Sequence, residues 1–323
     1  MTALRRMAAW ALALTLASCA ATEAPTAPPA QAPLRQDSAQ IARTAGSLRQ
    51  VDDLPLYEMT YYGDYDAEAP LTATELARKS DGWACSLFLR GTEFGRNFDW
   101  KPNPAMVVRA HPPGGYASLA VTDVAPVLGH PGPPDLPADR RRLAHAVLTP
   151  YDGVNEKGLA VGMAAVPDAE LPPAVPGQVT VSGERLIRIL LDRAATVGEA
   201  VALMRAYRVT FDGGPQIHYL IADASGASAI VEYGAAGATV VDDRILTNIT
   251  MAGSSKAARM ADTRYRTLAE GLPTKATSME LLRAVAQGHT RWSVVYDLKS
   301  GGAHVVTAKR WGRAHAFTLS SPG

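Results

Sequence analysis

Cysteine is nearly missing from this chain of 323 residues. There are two, Cys19 and Cys85. Only Cys85 lies in the body of the sequence, so no disulfide framework is available to it. An excess of either charge is missing too. Lys and Arg number 32 against 31 Asp and Glu, a net charge of +1, which offers nothing to nucleic acid. No GxGxxG with a following acid, no P-loop and no paired cysteines occur, so no nucleotide cofactor is called for. Histidines and carboxylates do not cluster at ligand spacing, and no metal is expected. The apolar run at residues 7–16 is too short to cross a bilayer as a permanent helix.

That run carries a different signal. Arg5-Arg6 precede it, and small residues follow. A basic start, a short apolar core and a small-residue end make a secretory signal. The ending Leu16-Ala17-Ser18-Cys19 resembles a bacterial lipobox, in which Cys19 is lipidated and becomes the new N-terminus. The alternative is an ordinary signal peptide cut near Ala20-Ala21. Acyl chains on Cys19 would tether the chain to a membrane. The expected location is the bacterial cell envelope, either lipid-anchored or periplasmic after processing. Residues 20–36, rich in Ala, Pro and Thr, cannot bury a core and read as a disordered linker.

The body is organised around Trp83-Ala84-Cys85-Ser86-Leu87-Phe88-Leu89, followed by Phe94-Gly95-Arg96-Asn97-Phe98-Asp99-Trp100. The first is an apolar run that reads as a buried strand with a thiol at its start. If the two stretches pair about Arg90-Gly91-Thr92-Glu93, Arg96 and Asp99 fold back beside Cys85. A lone cysteine can also be an inert, packed side chain.

The Gly-Arg-Asn-Phe-Asp-Trp run after such a strand resembles the N-terminal-nucleophile (Ntn) hydrolases of the choloylglycine hydrolase, penicillin V acylase and linear-amide hydrolase type. The resemblance implies self-cleavage of Ala84-Cys85, which makes Cys85 the first residue of the mature chain. Its thiol would be the nucleophile and its own α-amine the base. A thiol attacks as thiolate and titrates near 8.5, so it needs a basic neighbour, and an α-amine near 8 is well matched. Asp99 would orient the ammonium, and Arg96 would hold the thiolate.

Further motifs follow in the family's order. Asn155-Glu156-Lys157-Gly158-Leu159 resembles its Asn-Glu-Lys-Gly-Leu turn. The resemblance makes the backbone N–H of Ala165, six residues past Leu159, one oxyanion donor. Bile-salt hydrolases have asparagine there and penicillin V acylases tyrosine, so alanine keeps the donor and withholds the substrate's identity. Leu246-Thr247-Asn248 resembles the family's Leu-Thr-Asn, whose asparagine amide is the second donor. Asp262-Thr263-Arg264-Tyr265 resembles its Ser-Arg-Phe segment, whose arginine supports the nucleophile. Arg264 is the choice, with Arg259 and Arg266 as competitors. The run Ser293-Val294-Val295-Tyr296-Asp297-Leu298 resembles a late family strand.

Other features read as structure. Ser182 can cap a helix bearing Leu186, Ile187, Leu190 and Leu191, and Thr196-Val197-Gly198-Glu199 starts another. Residues 262–272 and 278–286 read as two more helices. Strands are expected at 106–108 and 116–121, then a Pro- and Gly-rich irregular loop over 124–137. Tyr57, Tyr61 and Tyr65 fall at four-residue spacing, which fits a helix face or simple packing. Arg140-Arg141-Arg142 reads as solvated charge, with a substrate-side patch as the alternative. His218, at a strand start without an evident sequence partner, reads as a satisfied structural residue rather than a general base.

The resemblance implies a mixed α+β fold, the four-layer αββα sandwich of two antiparallel sheets. The expected organisation is a signal peptide at 1–19, linker at 20–36, pro-segment at 37–84 and catalytic domain at 85–323. Residues 37–84 could equally be a subdomain that stays packed on the core. The implied activity is hydrolysis of a linear, non-peptide C–N bond in a small N-acyl amide, through an acyl-enzyme, with self-association possible. The alternatives are an acyltransferase of the same fold and an inactive lipid-anchored binding protein.

Overall fold

The computed structural model describes residues 33–53, 55–76, 84–134, 137–167, 169–171, 173–211 and 214–320. The signal sequence, Cys19 and most of the linker lie outside them. The strands of the two large sheets, in chain order, are β1 Arg49–Asp52, β2 Leu56–Tyr61, β3 Ala84–Arg90, β4 Glu93–Asp99, β5 Ala105–Ala110, β6 Ser118–Asp123, β7 Asp152–Asn155, β8 Ala160–Ala165, β9 Ile217–Ala222, β10 Ser228–Gly234, β11 Gly237–Val241, β12 Ile245–Leu246, β13 Thr290–Asp297, β14 Gly302–Thr307 and β15 His315–Phe317. Nine of them form one sheet in the order β11-β10-β9-β8-β7-β6-β5-β2-β1, and six form the other, β12-β3-β4-β13-β14-β15. Every pairing in these sheets is antiparallel except β2 with β5, which run parallel. Helices α1 Ser38–Ser47, α2 Gly183–Arg193, α3 Val197–Ala206, α4 Thr263–Gly271 and α5 Ser278–Ala284 complete the mixed α+β architecture.

The hairpin expected at Cys85 forms. Gly91 takes φ 58, the positive value needed at the first position of a two-residue Gly-X loop. That loop sets the register: Cys85 faces Phe98, Leu87 faces Arg96 and Ala84 faces Asp99. Side chains alternate across a strand, so Cys85, Leu87, Arg96 and Phe98 share a face. The same face meets the nine-stranded sheet. A Cβ on Gly162 would sit 2.6 Å from the end of the Leu87 side chain and 3.4 Å from Phe94, so glycine lets the sheets approach there without displacing Leu87. Helix α2 packs on β7 and β8, and α5 on β4 and β13.

The helices begin where their caps stand. The Ser182 and Thr196 hydroxyls accept from Arg185 N and Glu199 N, and Asp262 caps α4. Of the two readings left for the tyrosine spacing, packing holds: Tyr57 and Tyr61 lie buried in strand β2, not on a helix. Residues four apart share a face in a strand as well as a helix, so the spacing could not choose. The 124–137 stretch is not wholly irregular. Ala125–Leu128 forms one helical turn, closed by Gly129 at φ 81. Arg140, Arg141 and Arg142 end a short helix and are exposed.

Asp123, at the end of β6, is a buried carboxyl that accepts from Asn103 Nδ2 at 2.8 Å and from Ala125 N at 2.9 Å. Burial pushes it up to about 6 despite those two donors. The folded chain therefore holds a proton that the unfolded chain releases near pH 4. Its contribution to stability is present below that pH and is lost as pH rises through about 6. The loss is ~3 kcal/mol for a shift of about two units. Urea midpoints for Asp123→Asn should fall less than the parent's between pH 4 and pH 7. Parallel curves would contradict this account.

Candidate active site

Cys85 is a free, fully buried thiol at the start of β3. Four groups from three parts of the chain meet on it. Arg96 Nη2, on β4, lies 3.4 Å from its sulfur. Arg264 Nη1, on α4, donates to its carbonyl at 2.6 Å. Asn248 Oδ1, just past β12, accepts from its backbone N–H at 2.6 Å. The Asp99 backbone N–H also faces the sulfur. Burial pushes the thiol up, the Arg96 guanidinium pulls it down and the Asp99 carboxylate pushes it up again.

Asn248 ties these groups together. Its Oδ1 also takes Arg264 Nη2 at 3.0 Å, and its Nδ2 donates to Ala165 O at 2.7 Å. Two donors on one side and a carbonyl on the other fix the orientation of the amide. Val166 N donates to Gln216 O, so the Ala165–Ile217 pair is the non-hydrogen-bonded kind. The N–H and C=O of Ala165 therefore point away from β9, and the C=O meets Asn248. Of the three competing arginines, Arg264 alone is placed on Cys85. Arg259 is spent on Asp243, Ser254 and Met251, and Arg266 on Met260 O and Thr263.

Asp99 is beside the site, but its carboxylate does not hold the Cys85 nitrogen. It takes Thr290 Oγ1 and Gln287 Nε2, the latter at 2.6 Å. Burial pushes it up while those donors pull it down. Asn155 does more than turn the chain. Its Nδ2 donates to Leu191 O and Ala194 O at the end of α2, and its Oδ1 takes Lys157 N and Leu159 N. His218 is buried with Nε2 on Thr247 O at 2.9 Å and Nδ1 3.3 Å from Glu232 Oε1. Its partner comes from the neighbouring strand, so it braces the turn before Asn248.

Sequence reasoning missed Asp152, Trp292 and Tyr296. Arg96 Nη1 bonds Asp152 Oδ2 at 2.5 Å and Tyr151 O at 2.6 Å, and both charged side chains are wholly buried. Trp292 Nε1 and Tyr296 OH close on the same carboxylate. Trp292, Val294 and Tyr296 alternate along β13, a period-2 signal that could have put them on the inner face.

Residues 144–257 match the family model described as linear amide C–N hydrolases, choloylglycine hydrolase family. That stretch holds the Asn155 turn, Ala165 and Asn248, while Cys85, Arg96, Asp99 and Arg264 lie outside it. The reaction class that goes with the family is hydrolysis of the C–N bond of linear amides. Among solved structures, the chain is similar to a conjugated bile acid hydrolase from Clostridium perfringens, with 16% identity, 73% of this chain and 92% of that chain covered, and a TM-score of 0.52. At that identity the likeness is one of fold. A penicillin V acylase from Agrobacterium tumefaciens aligns with 18% identity over 72% of this chain and 76% of its own, at a TM-score of 0.45. No curated protein matches the chain.

Proposed function

We propose that the protein is an Ntn amide hydrolase of small N-acyl substrates whose nucleophile is Cys85, freed by self-cleavage after Ala84. The observation that carries this is the convergence on one residue: Arg96 on its sulfur, Asn248 on its nitrogen and Arg264 on its carbonyl. In the first stage the thiol adds to the Ala84 carbonyl carbon. The Ala84–Cys85 C–N bond breaks, the nitrogen takes the thiol's proton, and a thioester on the sulfur remains. Water then cleaves the thioester, leaving a carboxylate at Ala84 and a free thiol and α-amine at Cys85. In the second stage the α-amine takes the thiol's proton as sulfur attacks the substrate amide. The Ala165 N–H and the Asn248 amide hold the oxyanion, Arg96 favours the thiolate, and Asp99, held by Thr290 and Gln287 in the uncut chain, steadies the ammonium once the cut has freed it. The amine leaves with a proton, and water releases the acid. N-terminal sequencing of purified protein tests this, expecting a fragment that begins at Cys85. An intact, fully active chain would refute it.

On this reading residues 37–84 are a pro-segment, and contacts across the cut favour its staying bound. Strand β2 pairs with β5 over six residues, and its Leu56 and Met59 are buried. The ion pairs across the seam have one polarity. Among the described residues, the carboxylates Asp52, Asp53, Glu58, Glu68 and Glu75 are on the segment, and the cations Arg109, Arg185, Arg193, Arg310 and Arg313 are beyond the cut, where the His315 imidazole also meets Asp52. The exposed pairs add little. The buried Glu58–Arg109 pair, at 3.1 Å, is different, because breaking one costs about 3–5 kcal/mol. Processed protein should run as two bands in denaturing gels and one peak in size-exclusion chromatography. Glu58→Lys should split the peak. A lone catalytic chain in the unmutated protein would show that the segment leaves. Lipidation of Cys19 would place the precursor on the envelope membrane. Labelled fatty acid entering the chain at Cys19, but not in Cys19→Ala, is the check.

A further inference from the structure

The proposed chemistry leaves Asp152 without a part, yet it is a wholly buried carboxylate one guanidinium away from the nucleophile. It reaches Arg96 from β7, in the opposite sheet. Its Oδ2 takes Arg96 Nη1 at 2.5 Å and Trp292 Nε1 at 3.3 Å, and its Oδ1 takes the Tyr296 hydroxyl. Arg96 Nη1 is held a second time, by Tyr151 O. A guanidinium is a rigid planar fork. Pinning Nη1 on two acceptors therefore fixes where Nη2 points, and it points at the Cys85 sulfur, 3.4 Å away. The cation is packed 5.0 Å from the Phe98 ring and 5.8 Å from the Trp292 ring, which closes off other positions.

We infer that Asp152 is a positioning residue for the nucleophile: it aims Arg96 at the Cys85 sulfur and shares the guanidinium's charge with it. The inference rests on the proposed role of Cys85 and adds a regulator of that thiol. One cation serves two anions. With Asp152 ionised, Arg96 is partly spent, and the thiolate is favoured less than an unshared guanidinium would favour it. Donors to Asp152 relieve that pull. The Tyr296 hydroxyl and the Trp292 indole take up carboxylate charge that would otherwise fall on Arg96. The remaining groups around the sulfur are Asp99 from β4, which opposes the thiolate, and Arg264 and Asn248, which hold the backbone of Cys85.

The test reads the sulfur itself. In the full chain with Cys19→Ala, Cys85 is the sole thiol, and ultraviolet absorbance of the thiolate is titrated against pH relative to a Cys85→Ala control. Asp152→Asn keeps the shape and an acceptor for Arg96 but removes the charge. Its midpoint should fall by about one pH unit. Tyr296→Phe removes a donor from the carboxylate and should move the midpoint the other way. A purely structural pair of residues would not produce shifts of opposite sign. An unchanged or rising midpoint in Asp152→Asn, or shifts of the same sign, overturns the inference. If Asp152→Asn does not fold, Tyr296→Phe decides alone, and a midpoint that stays or falls sinks the proposal. The titration works on cut and uncut chains alike. Failure of cleavage, seen by mass spectrometry of the same samples, would count against the proposed function instead.

Discussion

Cys85→Ala should give a single uncut chain with no amidase activity. The loss is complete because one residue supplies two parts. Its sulfur is the attacker in both stages, and its α-amine exists only after the first. Removing the sulfur therefore removes the base as well. Little else should change. Alanine fits the same strand position, and the Asn248 and Arg264 contacts are to backbone atoms that the substitution keeps. The stability cost should be no more than about 1–2 kcal/mol, the scale of a small buried truncation. Mass spectrometry and a panel of N-acyl amides check the two halves together. An inactive but folded chain identifies the nucleophile. A variant that still binds an acyl ligand as the parent does, where the parent hydrolyses nothing, would return the protein to the binding-protein reading. New amide product formed in the presence of added amines would identify the acyltransferase.

Arg96→Ala should be costly for stability as well as activity. Arg96 and Asp152 are both wholly buried, and their bond at 2.5 Å is backed by Tyr151 O. Taking away the cation leaves Asp152 charged among Trp292, Tyr296 and apolar side chains. Breaking such a pair from one side costs about 3–5 kcal/mol. That is a large part of the ~5–15 kcal/mol that holds an ordinary domain together. The lost packing against Phe98 adds to it. The urea midpoint should fall steeply, and whatever folds should neither cut itself nor hydrolyse amides. The double variant Arg96→Met, Asp152→Asn should recover part of the stability, because no lone charge is left, while activity stays lost. If the single variant were as stable as the parent, the buried pair would not be the support described above.

How much of this was legible in the residues depends on the range of the signal. The β3–β4 hairpin could be read because its determinants are neighbours: an apolar run, Gly91 in a two-residue loop, and alternation on either side. The helix starts at Ser182, Thr196 and Asp262 could be read for the same reason, since a cap acts within one turn. Motif order led to Cys85, Arg96, Asn248 and Arg264, and the structure brings these four together. The Tyr57–Tyr65 spacing left helix and strand open, because a four-residue repeat suits both equally.

By itself, then, the sequence determined the local pieces: which stretches are strands, where helices begin, and that one thiol stands beside an arginine and an aspartate. Those follow from forces acting within a few residues along the chain. Tertiary structure alone decided that Arg264 grips the Cys85 carbonyl, that Asn248 bridges that residue to Ala165, and that Asp152 stands behind Arg96. These contacts join residues up to 179 positions apart, from Cys85 to Arg264, across two sheets and a helix layer. Their cause is the packing of the sheets at Gly162 and the placing of α4, and no spacing along the chain encodes that distance.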